Sequence, residues 1–445
     1  MKIFIVGAGE VGFNLAERLS SENHEVIILD KDEAKIEQIS AQINAFVHNG
    51  DGASITDLEQ AGIKNSDIFV AVTDKDEVNL ISCFVANNFN IPLKIARIQN
   101  DELLNLNTKK LGIDLVINTN FAVAKEVENL VKFAEAHEFI TFDDGKVILF
   151  GLKIDENNPF CNKTLIELNT YRKKYPFLII AIERDNDFII PKGTDTILEN
   201  DHIIFLTLGK HINGIKNIFK KKDKQKKYKN IFIVGISKLG IEISKTLSNS
   251  TGYKLTIIDK NIEKCNYLDG IIENALILNL NALDITQLTG EGFNNADVLI
   301  SVTNNDETNI VLSKIGKKLG IKKTIALVRR AGYSPYLDTF GIDNLLSPRI
   351  ITAGYILKYV RRGKVISAVP VFENKAEVIE YVITRDTLVS KQIMEIYLPE
   401  HTIIGAVVRG NKAIIPSGDT MLQKNDKLII FTKSDALESL EKIFA

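Results

Sequence analysis

Near the start of the chain, Gly7-Ala8-Gly9-Glu10-Val11-Gly12 follows a short apolar run and opens a helical pattern. Glycines at these three places suit a dinucleotide. The first allows a tight turn, the second lets the backbone come close to a pyrophosphate, and the third lets the helix pack against its sheet. A helix that begins there also offers free N–H groups and a partial positive charge to phosphates. The motif is weak alone, and its setting gives it weight. Asp30, with Lys31 beside it, ends the second apolar run, about 20 residues on, where a carboxylate can accept hydrogen bonds from ribose hydroxyls. A carboxylate there repels a 2′-phosphate, so the pattern favours NAD(H) over NADP(H).

Further residues fit the same pocket. The turn Asn49-Gly50-Asp51 follows the third apolar run, where it could flank an adenine, and Thr73 and Asp74 end the fourth. Ligands of doubly wound sheets sit on that edge. Arg97, in the fifth run, could reach phosphates as a bidentate donor or serve as a structural salt bridge.

The chemistry that would turn such a pocket into an enzyme is missing. A dehydrogenase needs a proton donor or acceptor near the nicotinamide, and none of the six histidines (His24, His48, His137, His202, His211, His401) sits beside a motif. No GxSxG, HExxH or GxxxxGK occurs, and Cys83, Cys161 and Cys265 lie far apart without metal-ligand spacing. No catalytic or metal-binding residue is therefore expected. The pattern favours nucleotide sensing over an NAD-dependent oxidoreductase, or over a structural adaptor with vestigial pockets. A net charge of -2 argues against a nucleic-acid partner. No apolar run reaches the roughly 18–20 residues that span a bilayer, and the first residues go directly into a strand. The expectation is a cytoplasmic protein that meets a membrane only through a partner.

The elements that must position these residues occur twice. KIFIVGAGEVG from Lys2 returns as NIFIVGISKLG from Asn230, and EVIILDKDEAKIE from Glu25 as KLTIIDKNIEKCN from Lys254. DIFVAVTDKDEVN from Asp67 returns as DVLISVTNNDETN from Asp297. In each copy, short β-branched runs alternate with helical patterns, which implies a parallel sheet covered on both faces. The first copy has strand candidates at Ile3–Val6, Val26–Leu29, Ala45–His48, Ile68–Val72 and Lys94–Ile98. Each copy then passes into a smaller segment of short strands broken by Gly, Pro and Asx turns, matched between Ala181 and Val407, which suggests a compact α+β module. The fold class is thus α/β, with two Rossmann-like doubly wound domains, each followed by a small α+β domain. The boundaries read as 1–138, 139–219, a basic linker over 220–229, 230–362 and 363–445.

The second copy is degraded. Its turn is Gly235-Ile236-Ser237-Lys238-Leu239-Gly240, so Ser237 replaces the middle glycine and crowds the phosphate approach. Asp259 keeps the ribose position, Asn279-Leu280-Asn281 replaces Asn49-Gly50-Asp51, and Leu327 stands where Arg97 does. This copy is expected to keep the fold and bind nucleotide weakly or not at all.

Taken with LLSPRIITAGYILKYVRRGKV from Leu345 and IIPSGDTMLQKNDKLIIF, these segments resemble TrkA, the regulatory subunit family of Trk-type potassium uptake systems, over nearly the whole chain. The resemblance implies two RCK nucleotide-binding domains, each followed by an RCK-C domain. It also implies a homo-oligomeric gating ring beneath a membrane-embedded potassium-translocating subunit of the TrkH or TrkG kind. By position, Gly7, Gly9, Gly12, Asp30, Asp51, Thr73, Asp74 and Arg97 match that family's nucleotide site. NAD(H) is the implied ligand, with ATP or ADP as an alternative occupant. Glu10 departs from related regulators that carry arginine there toward a terminal phosphate, which disfavours tight ATP binding.

Overall fold

The computed structural model describes residues 1–22, 24–104, 106–132, 138–143, 145–185, 187–219, 229–330, 340–360, 365–371, 376–433 and 436–444. His137 and residues 220–228 of the basic run lie outside them.

The first parallel sheet is built from β1 (Lys2–Val6), β2 (Glu25–Asp30), β3 (Phe46–Asn49), β4 (Ile68–Ala71), β5 (Leu93–Arg97) and β6 (Leu115–Ile117). Their order is β3-β2-β1-β4-β5-β6. Every pairing is parallel, for example Val6 beside both Leu29 and Ala71. The order reverses between β1 and β4, and a ligand crevice opens outside the strand ends at such a point. The five runs anticipated from the sequence all form strands, with ends shifted by a residue. The sixth, β6, has only three residues and too little pattern to stand out.

An antiparallel sheet follows, of β7 (Glu138–Phe142), β8 (Val147–Lys153), β9 (Phe177–Arg184), β10 (Asp187–Ile189) and β11 (His202–Leu208), in the order β10-β9-β11-β8-β7. The second parallel sheet comprises β12 (Lys229–Val234), β13 (Tyr253–Asp259), β14 (Ala275–Asn279), β15 (Val298–Ser301), β16 (Lys323–Leu327) and β17 (Asn344–Leu346). Its order, β14-β13-β12-β15-β16-β17, repeats the first. The last sheet holds β18 (Val365–Val371), β19 (Ala376–Val382), β20 (Thr402–Arg409), β21 (Lys412–Ile414) and β22 (Lys427–Lys433), ordered β18-β19-β22-β20-β21. Topology therefore repeats along with sequence.

The chain folds like with like. Residues 1–128 and 228–360, the two parallel-sheet lobes, form one compact unit; residues 129–227 and 361–445, the two antiparallel sheets, form the other. In the first unit the helix Pro348–Val360 of the second lobe buries Ile356, Leu357 and Val360 in the first lobe's core, beside Leu15, Ala16 and Leu19 of the helix Glu10–Ser21. In the second unit Leu149, Ile180, Ile204 and Leu206 of one sheet share a core with Val378, Ala406, Ile429 and Phe431 of the other.

Candidate functional site

The first turn is shaped by backbone. Gly7 has φ +111°, a conformation that side chains rarely adopt, and an added Cβ would lie 2.9 Å from the Thr73 nitrogen. At Gly12 an added Cβ would lie 1.8 Å from the Gly7 carbonyl oxygen, so the helix can approach the turn only without a side chain. Gly9 differs from both: nothing stands within 4 Å of the place its Cβ would take. It is the N-cap residue of Glu10–Ser21 and offers no side-chain cap, so no cap takes up the N–H groups of that first turn, whose residues Glu10 and Val11 line a cleft.

Asp30 braces this turn from the end of β2. Its Oδ2 accepts from the Ala8 N–H at 2.6 Å and its Oδ1 from the Asp32 N–H at 2.9 Å. Asn49 donates from Nδ2 to the Asp30 carbonyl at 3.2 Å, tying the third strand's turn to the second. Asp51 is fixed through Asp57, whose carboxylate accepts from the Asp51 N–H at 2.7 Å and from the Ser54 hydroxyl at 3.0 Å. Those bonds hold the Asp57 carboxyl below its ordinary range.

At the end of β4, Thr73 is held by a side chain that sequence reading did not single out. Asn79 is fully buried; its Oδ1 accepts from the Thr73 N–H at 2.8 Å and hydroxyl at 2.7 Å. Its Nδ2 donates to the Thr73 and Arg97 carbonyls at 3.0 and 2.8 Å, so one amide clamps the ends of β4 and β5 together. Asp76, also overlooked, accepts from the Gln99 and Asn100 N–H groups. The signal was present in the repeat, because Asp306 and Asn309 make the same bonds to Arg329, Arg330, Thr303 and the Leu327 carbonyl. Arg97 donates from Nη1 to Asp74 at 3.3 Å and from Nε to the Thr119 hydroxyl at 3.2 Å. It is thus an ion-pair partner and a cleft-lining cation at once.

These residues border two cavities that meet at Gly9. One, about 210 Å³, is walled by Gly9, Asp30, Lys31, Gly50, Asp51, Thr73 and Asp74. The other, about 1150 Å³, lies between the two parallel-sheet lobes and runs from Gly9, Glu10, Val11 and Arg97 to Ser237, Lys238, Arg329 and Arg349. Among the described residues no histidine lines either.

The second lobe repeats the frame and puts a side-chain cap at the helix start. Asp259 accepts from the Ile236 and Asn261 N–H groups at 2.6 and 2.9 Å, as Asp30 does in its lobe. Gly235 again has positive φ, +112°. Ser237, however, caps the helix Lys238–Ser248: its Oγ accepts from the Gly240 N–H at 3.1 Å and donates to the Val302 carbonyl at 3.0 Å. The hydroxyl thereby satisfies one of the helix's free N–H donors. Leu280 and Ala282, in place of Gly50 and Gly52, pack on that lobe's core. A cavity of about 300 Å³ remains beside Asp259 and Asn281. Leu327 is buried, as an apolar residue in a central strand should be. Arg329, two residues on, supplies the guanidinium instead, donating to Asn304 Oδ1 at 3.2 Å, the counterpart of Arg97 on Asp74.

Comparison with known proteins places this arrangement. The TrkA-N domain family matches residues 3–119 and 231–348, and the TrkA-C domain family matches 149–220 and 378–445. The Trk system potassium uptake protein TrkA homolog of Archaeoglobus fulgidus is 33% identical over the full length of both chains. Among solved structures, the GsuK RCK domain aligns with TM-score 0.62 at 17% identity, covering 100% of this chain and 94% of that one. The GsuK channel bound to NAD aligns equally well, covering 100% of this chain and 78% of that one. At such identity the two structures establish a shared fold. The two pairs of family matches and the full-length relative establish more: this chain belongs to the TrkA family of Trk system potassium uptake proteins.

Proposed function

We propose that the chain is a nucleotide-sensing regulatory subunit that gates a membrane-embedded potassium-translocating partner, with the first lobe as its sensor for NAD(H). The observation that carries this reading is the uncapped helix start at Gly9, open to space and set between the braced carboxylate of Asp30 and the guanidinium of Arg97. Phosphates belong at such a helix end and ribose hydroxyls at such an acid. The remaining residues assigned to the pocket are Ala8, Glu10, Val11, Lys31, Asn49, Gly50, Asp51, Thr73 and Asp74. Gly235, Ser237 and Asp259 form the degraded counterpart.

Family membership supports a role in potassium uptake. No described helix is long and apolar enough to cross a membrane. In this reading the ion path belongs to a partner of the TrkH or TrkG kind, and the chain sits peripherally on its cytoplasmic side. A homo-oligomeric ring would transmit the signal. A nucleotide can bias such a ring only by binding its two shapes with different affinity: a 100-fold preference supplies about 2.7 kcal/mol per site. ATP or ADP would compete for the same cleft. The shared fold of a channel solved with NAD bound supports NAD(H) as the first choice.

The test is titration of the full chain with NADH and with ATP, followed by fluorescence and calorimetry. One nucleotide per chain is expected, with NADH preferred, and loss of binding in Asp30→Ala. Absence of binding by either ligand, or an unaltered Asp30→Ala variant, would sink the sensing account. Co-purification with the membrane subunit, with and without nucleotide, tests the partner.

A further inference from the structure

Two cations of the second lobe occupy places that electrostatics disfavours. Arg349 is the second residue of the helix Pro348–Val360, and Lys238 is the first residue of Lys238–Ser248. The N-terminal turn of a helix carries partial positive charge, so it favours anions and disfavours cations. The matching residues of the first lobe are Asn120 and Glu10, one neutral and one acidic. Both second-lobe cations face the cleft between the lobes, where Gly9 leaves the opposite helix end open.

Arg349 is poorly satisfied there. Only 12% of its side chain is exposed, and among the described residues the carboxylate it pairs with, Glu10, is 4.0 Å away, at the outer limit of an ion pair. Its Nε is buried without a hydrogen-bond partner among the described residues. A guanidinium donor left unmade in a confined site costs free energy unless a ligand completes it. Around it the cleft carries Arg97, Arg329, Lys35 and Lys264, against the carboxylates Glu10, Asp74 and Glu263. Cations are therefore in excess, and the missing partner is an anion.

The two cavities fix where that anion would lie. The small one holds Asp30 and not Arg349; the large one holds Arg349 and not Asp30; both include Gly9, Lys35 and Asp74. A nucleotide seated with its adenosine half against Asp30 would pass Gly9 and extend its phosphates into the large cleft.

We propose that the second lobe supplies ligands to the first lobe's site. Arg349, assisted by Lys238, binds the phosphoanhydride of the nucleotide from across the cleft, and Arg349 leaves Glu10 to do so. The chemical class recognised is a pyrophosphate linkage, whether in a dinucleotide or a nucleoside triphosphate. This rests on the nucleotide-binding reading above and deepens it: the degraded lobe becomes half of one site.

The experiment uses the full chain as wild type, Arg349→Ala, Arg349→Lys and Lys238→Ala, titrated with NADH and ATP, with melting followed in the absence and presence of NADH. Arg349→Ala should weaken both ligands at least tenfold, Arg349→Lys less, and Lys238→Ala by two- to fivefold. Because Arg349 sits at a positive helix end, its removal should leave the ligand-free melting temperature unchanged or raised, while the NADH-induced rise shrinks. NADH and ATP affinities within twofold of wild type in Arg349→Ala would overturn the proposal. So would a fall in ligand-free melting temperature accompanying the lost affinity, since that marks a purely structural arginine. Wild type that binds neither ligand would instead remove the nucleotide reading, and this inference with it.

Discussion

In the first lobe the helix Glu10–Ser21 starts at Gly9 without a side-chain cap; in the second, Ser237 caps Lys238–Ser248 with its own hydroxyl. Around this difference nearly everything else is shared. Asp30 and Asp259 accept the same pair of backbone N–H groups, and Asn79 and Asn309 clamp the same strand ends. Glycine at an N-cap gives up only a few tenths of a kcal/mol against serine, so leaving the first turn open costs the fold little. The comparison separates two kinds of retained residue. Asp259 stands in a lobe whose helix start carries a side-chain cap, and there its hydrogen bonds brace the glycine turn. Retention of that carboxylate therefore says more about scaffold than about ligand.

The largest expected effects lie where the copies agree. In the antiparallel sheets Arg184 grips Asp201 through Nε and Nη2, both at 2.7 Å, and Arg409 grips Asp426 at 2.9 and 2.8 Å. Both aspartates are buried, and each also accepts a backbone N–H, from Leu198 or from Gln423. Each arginine is about a third exposed, so water can take over its charge, and the loss is that of the hydrogen bonds made to the buried carboxylate, roughly 1.5–3 kcal/mol. Asp201→Ala and Asp426→Ala should each lose that much in urea denaturation. If one proves silent, the scaffold has diverged between copies as the binding turns have.

Gly9→Ser would make the first turn like the second. A Cβ there meets nothing, so folding should be unaffected, while the hydroxyl competes with phosphate for the helix donors. NADH affinity should fall tenfold to a hundredfold, about 1.4–2.7 kcal/mol, read by fluorescence titration. Unchanged affinity would mean that the cap is not what distinguishes the lobes.

Next come the two acids. Asp30→Asn and Asp259→Asn each replace a charged acceptor of two N–H groups by an amide that can satisfy one, costing about 1–2 kcal/mol. The stability losses should match, yet only Asp30→Asn should weaken NADH. An Asp259→Asn variant that also lost NADH would show that ribose is read in both lobes.

The frame of this molecule was legible because it is written in period and repetition. β-branched runs gave five strands of the first sheet, and the duplicated segments gave the second. What escaped the sequence was set by distance in space. Arg329 substitutes for Arg97 from a position two residues displaced, which no alignment of the repeats reveals, since Gln99 is its counterpart. Arg349 belongs to one lobe by sequence and to the other's cleft by folding. Asn79 was visible in the repeat, but a buried asparagine cannot be told from an exposed one until the ends of β4 and β5 are seen beside it.

The smallest expected effect concerns a pair at matching places in the two lobes. Glu126, on the helix Thr119–Lys132, corresponds to Tyr355 on Pro348–Val360. Burial pushes the Glu126 carboxyl up to about 7, and burial, then the charge of Glu126, raises the Tyr355 hydroxyl. A carboxyl whose pKa is higher folded than unfolded binds its proton more tightly in the native state. Its contribution to stability is full below about 4.5 and is lost as pH rises through about 7. Glu126→Gln keeps the neutral shape at every pH. It should match wild type near pH 4.5 and melt about 2–4 °C higher at pH 8. The quantity to follow is the difference between variant and wild type, in which every group common to both cancels. A difference that stays flat from pH 4.5 to 8 would mean that the Glu126 carboxyl ionises in the folded chain as readily as in the unfolded one.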